Sequence, residues 1–158
     1  MAARPRPDMD DTDLKLLRIL QRNALLPIAE IAEKIGLSHT PCWRRIRRLE
    51  ETGVITSRVT ILDPVKVNLS VSVFANVTMT SHLKAALTSF ERAVEKEPAI
   101  VDCYSVSGAS DYLLRISVPD VAAYERYLKE HLVHLPNVQQ VNSSFALREV
   151  KHTTELPI

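Results

Sequence analysis

This sequence of 158 residues contains little glycine, little cysteine and few aromatic residues: three Gly, two Cys and one Trp. Cys42 and Cys103 lie far apart and match no paired spacing of metal ligands, which argues against a disulfide scaffold and a cysteine-based metal site. No apolar run approaches the ~18–20 residues of a membrane span. The first residues also lack the apolar core of a secretory signal. A cytoplasmic protein with no membrane partner is therefore expected.

The net charge of +1 is unevenly distributed along the chain. Residues 1–62 carry 11 Lys and Arg against 8 Asp and Glu, whereas residues 63–158 carry 9 against 11. A weakly basic N-terminal part and a weakly acidic C-terminal part are typical of a DNA-binding segment joined to a segment with another role.

Two short amphipathic patterns lie close together in the basic part. Residues 28–35 have apolar side chains at helical spacing, and Gly36 follows where a helix would end. Ser38 is a candidate N-cap for a second helix over residues 39–52, which Gly53 would terminate. With a preceding helix over residues 10–23, this pattern predicts a helix-turn-helix.

The second of these helices has one apolar face and one cationic face. Cys42, Ile46 and Leu49 fall on the side to be buried. Four of the five residues at positions 44–48 are arginine, with no acidic residue among them. A charge run is often only a solvated helix face, but in a helix-turn-helix it favours entry into the DNA major groove. The predicted DNA-contacting residues are Ser38, His39, Thr40, Trp43, Arg44, Arg47 and Arg48.

Two residues of this helix have alternative interpretations. Arg45 lies nearer the buried edge, so it either pairs with an acidic side chain inside the domain or contacts DNA. Trp43 either contacts DNA or packs against the edge of the domain.

The second half of the chain alternates between strand and helix patterns. Strands have a period of two residues and helices a period of 3.6. The predicted strands cover residues 70–79, 100–106, 112–118 and 137–150, and the predicted helices cover residues 83–96 and 120–132. This β-α-β-β-α-β order predicts a ferredoxin-like, four-stranded antiparallel sheet with both helices on one face. An apolar open face that a second copy would cover is also expected.

The predicted fold class is therefore α+β, with a winged-type helix-turn-helix joined by a hinge strand to a ferredoxin-like domain. The helix-turn-helix domain is assigned to residues 1–53, of which residues 1–9 form a flexible arm. Residues 54–69 are assigned to the hinge strand and linker, because residues 54–62 are β-branched and partly alternating. Residues 70–158 are assigned to the ferredoxin-like domain, for which the resemblance described next implies effector binding and oligomerisation.

Several motifs at this spacing resemble the Lrp/AsnC family of bacterial and archaeal transcription regulators. They are residues 10–21, 31–38, 45–55, 107–115 and 143–157, and together they cover nearly the whole chain. Ser107-Gly-Ala-Ser-Asp-Tyr112 is similar to the Gly-x-x-Asp-Tyr effector loop of that family. One departure is Asn68, where the family usually has glycine.

The resemblance implies an effector site as well as a DNA-binding domain. Gly108, Asp111 and Tyr112 would line a pocket for a small amino acid, with Ser143 or Ser144 contributed by another subunit. An aspartate suits an α-ammonium group, and free backbone N–H groups suit an α-carboxylate. A plain turn between strands is the alternative for Gly108 and Asp111.

The function expected is sequence-specific binding of double-stranded DNA that responds to a small amino acid, such as cysteine or a small aliphatic one. The resemblance implies a homodimer that assembles further to a homo-octamer, and neither a cofactor nor a metal ion is expected. Two alternatives remain. One is an enzyme similar to siroheme decarboxylases, and the other is an architectural DNA-binding protein without an effector.

Overall fold

The computed structural model describes residues 8–158, which form two compact units. One unit, here the helical unit, comprises residues 8–61 and 151–158, and the sheet unit comprises residues 62–150. The arm predicted over residues 1–9 lies outside the described residues except for its last two. The final eight residues group with the helical unit, whereas the sequence assigned them to the second domain.

The three helices predicted for the N-terminal part are confirmed. They are α1 (Asp11–Arg22), α2 (Ile28–Ile35) and α3 (His39–Glu51). Gly36 ends α2 in the left-handed conformation, with φ of 71°, which glycine adopts without the steric cost of a Cβ. Ser38 occupies the N-cap of α3, but its side chain accepts no capping hydrogen bond.

The core of the helical unit is formed by the apolar faces of all three helices. The predicted buried residues of α3 are confirmed, because Cys42, Ile46 and Leu49 are at most 3% exposed. In α1 the buried positions are Leu16 and Leu17. These faces remove most of their apolar area from water, which is the main contribution to holding α3 against its neighbours.

A buried carboxylate joins α1 to α3. Asp13 is fully buried, and its two carboxylate oxygens pair with Arg45 Nη1 at 2.8 Å and with Arg48 Nη2. Arg45 Nη1 also contacts Asp10 Oδ2 at 2.8 Å. Asp10 caps α1 by accepting a hydrogen bond from the backbone N–H of Asp13 at 2.8 Å. We refer to these four residues as the Asp13 clamp.

The hinge strand predicted over residues 54–62 is wrong for this chain. Residues 54–62 contain no strand, and several of their apolar side chains are exposed, including Val59 (70%) and Leu62 (63%). A β-strand needs hydrogen-bonding partners, and no described segment pairs with this one. Asn68 adopts φ of 61°, so the turn that glycine usually supplies in the family is made here by asparagine.

The sheet unit has the predicted order of elements. It consists of β1 (Val71–Met79), α4 (Lys84–Val94), β2 (Ile100–Ser105), β3 (Tyr112–Val118), α5 (Val121–Glu130) and β4 (Val138–Phe145). The strands pair antiparallel in the order β2-β3-β1-β4. Alternate residues of β1 and β3 form a single core with residues of α4 and α5, so both helices cover the same face.

Two details of the sheet differ from the prediction. The last strand ends at Phe145 rather than at residue 150: its pairing with β1 stops at Val73, beyond which the Ala146 N–H donates to the Ser72 carbonyl at 2.9 Å. The open face was expected to be apolar, but its cross-strand positions are mostly polar. It includes Asn76, the ion pair of Arg115 Nε with Asp102 Oδ2 at 2.5 Å, and the exposed rings of Phe74 and Tyr104.

The Asp13 clamp predicts a specific loss of stability. We expect Asp13→Asn to lower the free energy of unfolding by about 2 kcal/mol, because charge-assisted hydrogen bonds to two arginines are weakened. Asp11→Asn is the matched control, since Asp11 lies exposed in the same helical turn. It should change stability by no more than about 0.5 kcal/mol. Urea denaturation measures both, and equal losses would show that the clamp does not stabilise the unit.

Candidate nucleic-acid interface and effector site

The outer face of α3 presents the residues that the sequence predicted for DNA contact. Ser38, His39, Thr40, Trp43, Arg44, Arg47 and Arg48 are all exposed. Trp43 is 45% exposed, so it does not belong to the core of the domain. The apolar face opposite is buried against α1 and α2, which fixes the outward direction of these side chains.

The four arginines of α3 divide into two pairs. Arg45 and Arg48 belong to the Asp13 clamp, which settles the alternatives for Arg45 in favour of an internal ion pair. Arg48 keeps a side chain that is 49% exposed, so its outer part still reaches the surface. Arg44 has no ion pair among residues 8–158, and Arg47 makes only a 3.5 Å contact with Glu50. Glu50 also forms an ion pair with Arg58, whose Nη2 lies 2.9 Å from Glu50 Oε1.

The pKa values of two clamp members, Asp10 and Arg45, are shifted by their contacts. The backbone N–H of Asp13, and then the Arg45 guanidinium, lower the pKa of the Asp10 carboxyl. Asp13 and then Asp10 raise the pKa of Arg45. Asp10 and Arg45 therefore each favour the charged form of the other.

The loop between β2 and β3 carries the predicted effector residues Gly108 and Asp111. Gly108 has φ of 129°, a region that residues with a Cβ rarely adopt. The backbone N–H groups of residues 107–110 donate no hydrogen bond to any described residue of the chain. Successive unpaired N–H groups in a turn form a site that suits an anion.

Asp111 connects this loop to the end of β1. Its Oδ2 accepts a hydrogen bond from the backbone N–H of Met79 at 2.7 Å, and its Oδ1 lies 2.8 Å from His82 Nε2. The Met79 N–H, followed by His82, lowers the pKa of the Asp111 carboxyl below its ordinary value. The side chain of Asp111 is 22% exposed. It therefore offers a partly accessible negative charge beside the unpaired N–H groups.

The other predicted effector residues lie in strands and not in the Gly108 loop: Tyr112 in β3, and Ser143 and Ser144 in β4. Tyr112 is 3% exposed, and its hydroxyl donates to Glu91 at 2.8 Å on the helix-covered face. Burial is the largest cause of the raised pKa of Tyr112. Ser143 hydrogen-bonds Tyr124 on that same face, whereas Ser144 pairs with Phe74 on the open face. In the sheet Ser143 pairs with Ala75 and Ser144 with Phe74 of β1.

Sequence reasoning missed Asp10 and Asp13 as partners of α3, and it missed His82 beside Asp111. The only local signal for the aspartates was their position in the first turn of α1, which also fits the helix dipole. His82 follows β1 in sequence and carries no motif of its own. Its contact with Asp111 joins residues 29 apart in the chain, so spacing along the sequence does not reveal it.

The contacts of Asp111 lead to a titration prediction. Because the pKa of Asp111 is lowered in the fold, its contacts stabilise the protein above the unfolded value of about 3.9 and are lost as the pH falls through the folded value. Carboxyl NMR should show a midpoint below that of an unfolded aspartate. His82→Ala should raise the midpoint only part of the way, since the Met79 N–H remains.

The matched control for this titration is His39→Ala, which removes an exposed histidine in the helical unit. It should leave the Asp111 midpoint unchanged. A His82→Ala variant with the wild-type midpoint would show that the pair with Asp111 does not form in solution.

Comparison with known families gives two matches that together span most of the chain. Residues 9–56 match a winged helix-turn-helix DNA-binding domain, and residues 72–156 match the Lrp/AsnC ligand binding domain. The first match contains α1 to α3, and the second contains the sheet except for Val71, together with the Gly108 loop. No helix among residues 8–158 is long and apolar enough to cross a membrane.

Individual proteins support the same assignment. An AsnC family transcriptional regulator from Agrobacterium tumefaciens is 48% identical, with a TM-score of 0.90 over 94% of this chain and 97% of that one. A transcriptional regulator from Neisseria meningitidis in complex with L-Met is 37% identical, with a TM-score of 0.90 over 95% of this chain and 97% of that one. The glutamate uptake regulatory protein of Zymomonas mobilis is 41% identical over 150 residues, which are 95% of this chain and 91% of that protein.

All three proteins are named as regulators and none as an enzyme, which favours a regulator over the decarboxylase alternative. Two family models that match the helix-turn-helix and the sheet in order, and relatives that align along nearly the whole chain, agree with the geometry of both units. The chain belongs to the Lrp/AsnC family of DNA-binding transcriptional regulators.

Proposed function

We propose that this regulator changes its affinity for DNA when a small amino acid binds at the Gly108–Asp111 loop. The observation that carries the proposal is the loop itself, where residues with unpaired backbone N–H groups directly precede Asp111, whose carboxylate is partly exposed. The backbone N–H groups suit the carboxylate of an α-amino acid, and the carboxylate of Asp111 suits its ammonium group. All α-amino acids share these two groups.

Contact with DNA is assigned to the outer face of α3. Arg44 makes no ion pair among residues 8–158, and Arg47 makes one, at 3.5 Å with Glu50. These two arginines would therefore supply positive charge to phosphates and base edges. Ser38, His39, Thr40, Trp43 and Arg48 complete the proposed contact surface. In a homodimer two such helices would enter successive major grooves, one turn of DNA apart, on a near-palindromic site.

Removal of Arg44 and Arg47 should weaken DNA binding in a salt-dependent way. We expect the double variant Arg44→Ala/Arg47→Ala to bind the upstream region of its own gene at least about tenfold more weakly. The slope of log affinity against log salt should fall by about 2 per bound subunit, because about 0.9 counterions are released per phosphate contact. Gel-shift titrations at several salt concentrations measure both quantities.

A second double variant removes the same charge elsewhere and serves as the control. Arg92→Ala/Arg126→Ala alters two exposed arginines of α4 and α5. It should retain wild-type affinity and wild-type salt slope. Undiminished, sequence-selective binding by Arg44→Ala/Arg47→Ala would refute the assignment of α3 as the DNA-contacting helix.

The amino-acid class of the effector is supported by chemistry and by one neighbour. The solved regulator from Neisseria meningitidis is a complex with L-Met. For this chain we propose a small amino acid, with cysteine and small aliphatic residues as the first candidates. Asp111 would receive the ammonium group, and the N–H groups near Gly108 would receive the carboxylate. Tyr112 would support the loop from its buried position, and Ser143 or Ser144 would come from another subunit.

The assembly proposed is a homodimer that associates further to a homo-octamer. Exposed apolar side chains in residues 54–69, and the exposed rings of Phe74 and Tyr104 on the otherwise mostly polar open face, leave surface for a second copy. Because the protein acts on chromosomal DNA, we place it in the cytoplasm.

A thermal-shift screen of the twenty amino acids tests the effector. An amino acid that binds only the folded state raises the melting temperature by mass action, with about 2.7 kcal/mol of stabilisation at 100 times Kd. We expect one or a few small amino acids to raise it, and Asp111→Asn to abolish the rise. Glu130→Gln is the control, because it removes an exposed carboxylate of α5.

No shift with any amino acid would support the remaining alternative, an architectural protein that binds DNA without an effector. A rise that persists in Asp111→Asn would place the amino acid elsewhere in the protein.

A further inference from the structure

The last residues of the chain lie along one face of α1. Arg22 Nε contacts Glu155 Oε1 at 2.7 Å, and Arg18 Nε donates to the carbonyl oxygen of Ile158 at 2.5 Å. Arg18 and Arg22 are four residues apart and therefore share one face of the helix. We call residues 151–158 the C-terminal strap.

Gln21 fixes the strap through its backbone. The side-chain carbonyl of Gln21 accepts from the backbone N–H of Leu156 at 2.6 Å, and its amide donates to the Leu156 carbonyl at 3.3 Å. The Gln21 side chain thus binds both the backbone N–H and the backbone carbonyl of Leu156, as a neighbouring β-strand would. Together with the Arg22–Glu155 pair, this sets a defined register, so the strap is a docked segment of the helical unit.

The docking is polar and accessible to water. Arg22 and Glu155 have side chains that are 72% and 38% exposed, and the apolar side chain of Leu156 is 66% exposed. Exposed ion pairs and hydrogen bonds contribute little net free energy, because water competes for each partner. The strap is therefore able to detach without unfolding α1.

The position of the strap in the chain gives it a mechanical role. The chain passes from the helical unit to the sheet unit at residues 61 and 62, and it returns at residues 150 and 151. Residues 146–150 join the strap directly to β4, the edge strand of the sheet. The connection around residues 61 and 62 contains no strand or helix. The strap follows the second connection of the chain between the sheet unit and the helical unit.

We propose that residues 151–158 are a releasable strap that couples the sheet unit to α1, so that amino-acid binding alters DNA affinity only while the strap is docked. Movement of β4 would pull on α1 through residues 146–150, and the Asp13 clamp would pass the change to α3. The coupling rests on the function proposed above, whereas the docking itself does not.

Charge reversal tests the docking. In Arg22→Glu the repulsion from Glu155 should release the strap, and the backbone amide of Leu156, which donates to Gln21 in the docked strap, should exchange with deuterium at least tenfold faster than in wild type. The double variant Arg22→Glu/Glu155→Arg restores opposite charges and should return the exchange towards the wild-type rate. Lys15→Glu is the control, because it makes the same charge change at another exposed position of α1. Exchange unaffected by Arg22→Glu would overturn the proposal.

DNA affinity with and without an amino acid tests the coupling. The ratio of the two Kd values is measured for the amino acid that gives the largest rise in the thermal-shift screen. We expect the ratio to fall to about 1 in Arg22→Glu and in a chain ending at Val150, and to recover in Arg22→Glu/Glu155→Arg. Both impaired variants should still bind DNA and show the thermal shift.

The outcomes separate the two proposals. A wild-type chain that ignores every amino acid would refute the proposed effector function, and the strap is then judged by hydrogen exchange alone. A wild-type chain that responds while Arg22→Glu responds equally would overturn the coupling only.

In a Cys103→Ser background, bismaleimide cross-linking of Arg22→Cys/Glu155→Cys should yield monomers, and a cross-linked dimer would overturn docking within one chain.

Discussion

The arrangement of the DNA-binding unit depends on one buried carboxylate. Asp13 lies fully buried in α1, where an unpaired negative charge would be strongly destabilising. Two guanidinium groups of α3 neutralise it, and they also fix the rotation of α3 against α1. Because rotation of α3 about its axis decides which side chains face outward, the clamp determines which side chains α3 exposes.

This requirement explains why α3 carries more arginines than a contact surface alone would need. Arg45 and Arg48 serve the clamp, while Arg44 and Arg47 face outward with few internal partners. In the loop between β2 and β3, Asp111 both fixes the loop to β1 and keeps a partly exposed negative charge. In each unit one aspartate thus holds two elements together.

Much of the fold was predictable because its signals are local. Helical periodicity and the positions of Gly36 and Gly53 placed all three N-terminal helices, and alternation placed β1 to β3 with nearly correct ends. The prediction failed for residues 54–62 and for the end of β4. Residues 54–62 are β-branched or alternating but have no neighbouring strand among the described residues, and strand formation needs that partner. At the end of β4, the pairing with β1 stops at Phe145, and one further hydrogen bond joins Ala146 to Ser72.

The sequence by itself determined the identity of the helices, the β-α-β-β-α-β order and the cationic face of α3, since residues close in sequence produce each of them. Only the tertiary structure decided which arginines are held inside, which residue pairs with Asp111 and where the last eight residues dock. Those contacts join residues from 29 to 140 positions apart. No local pattern encodes such partners, because they are selected by burial and charge after the elements have packed together.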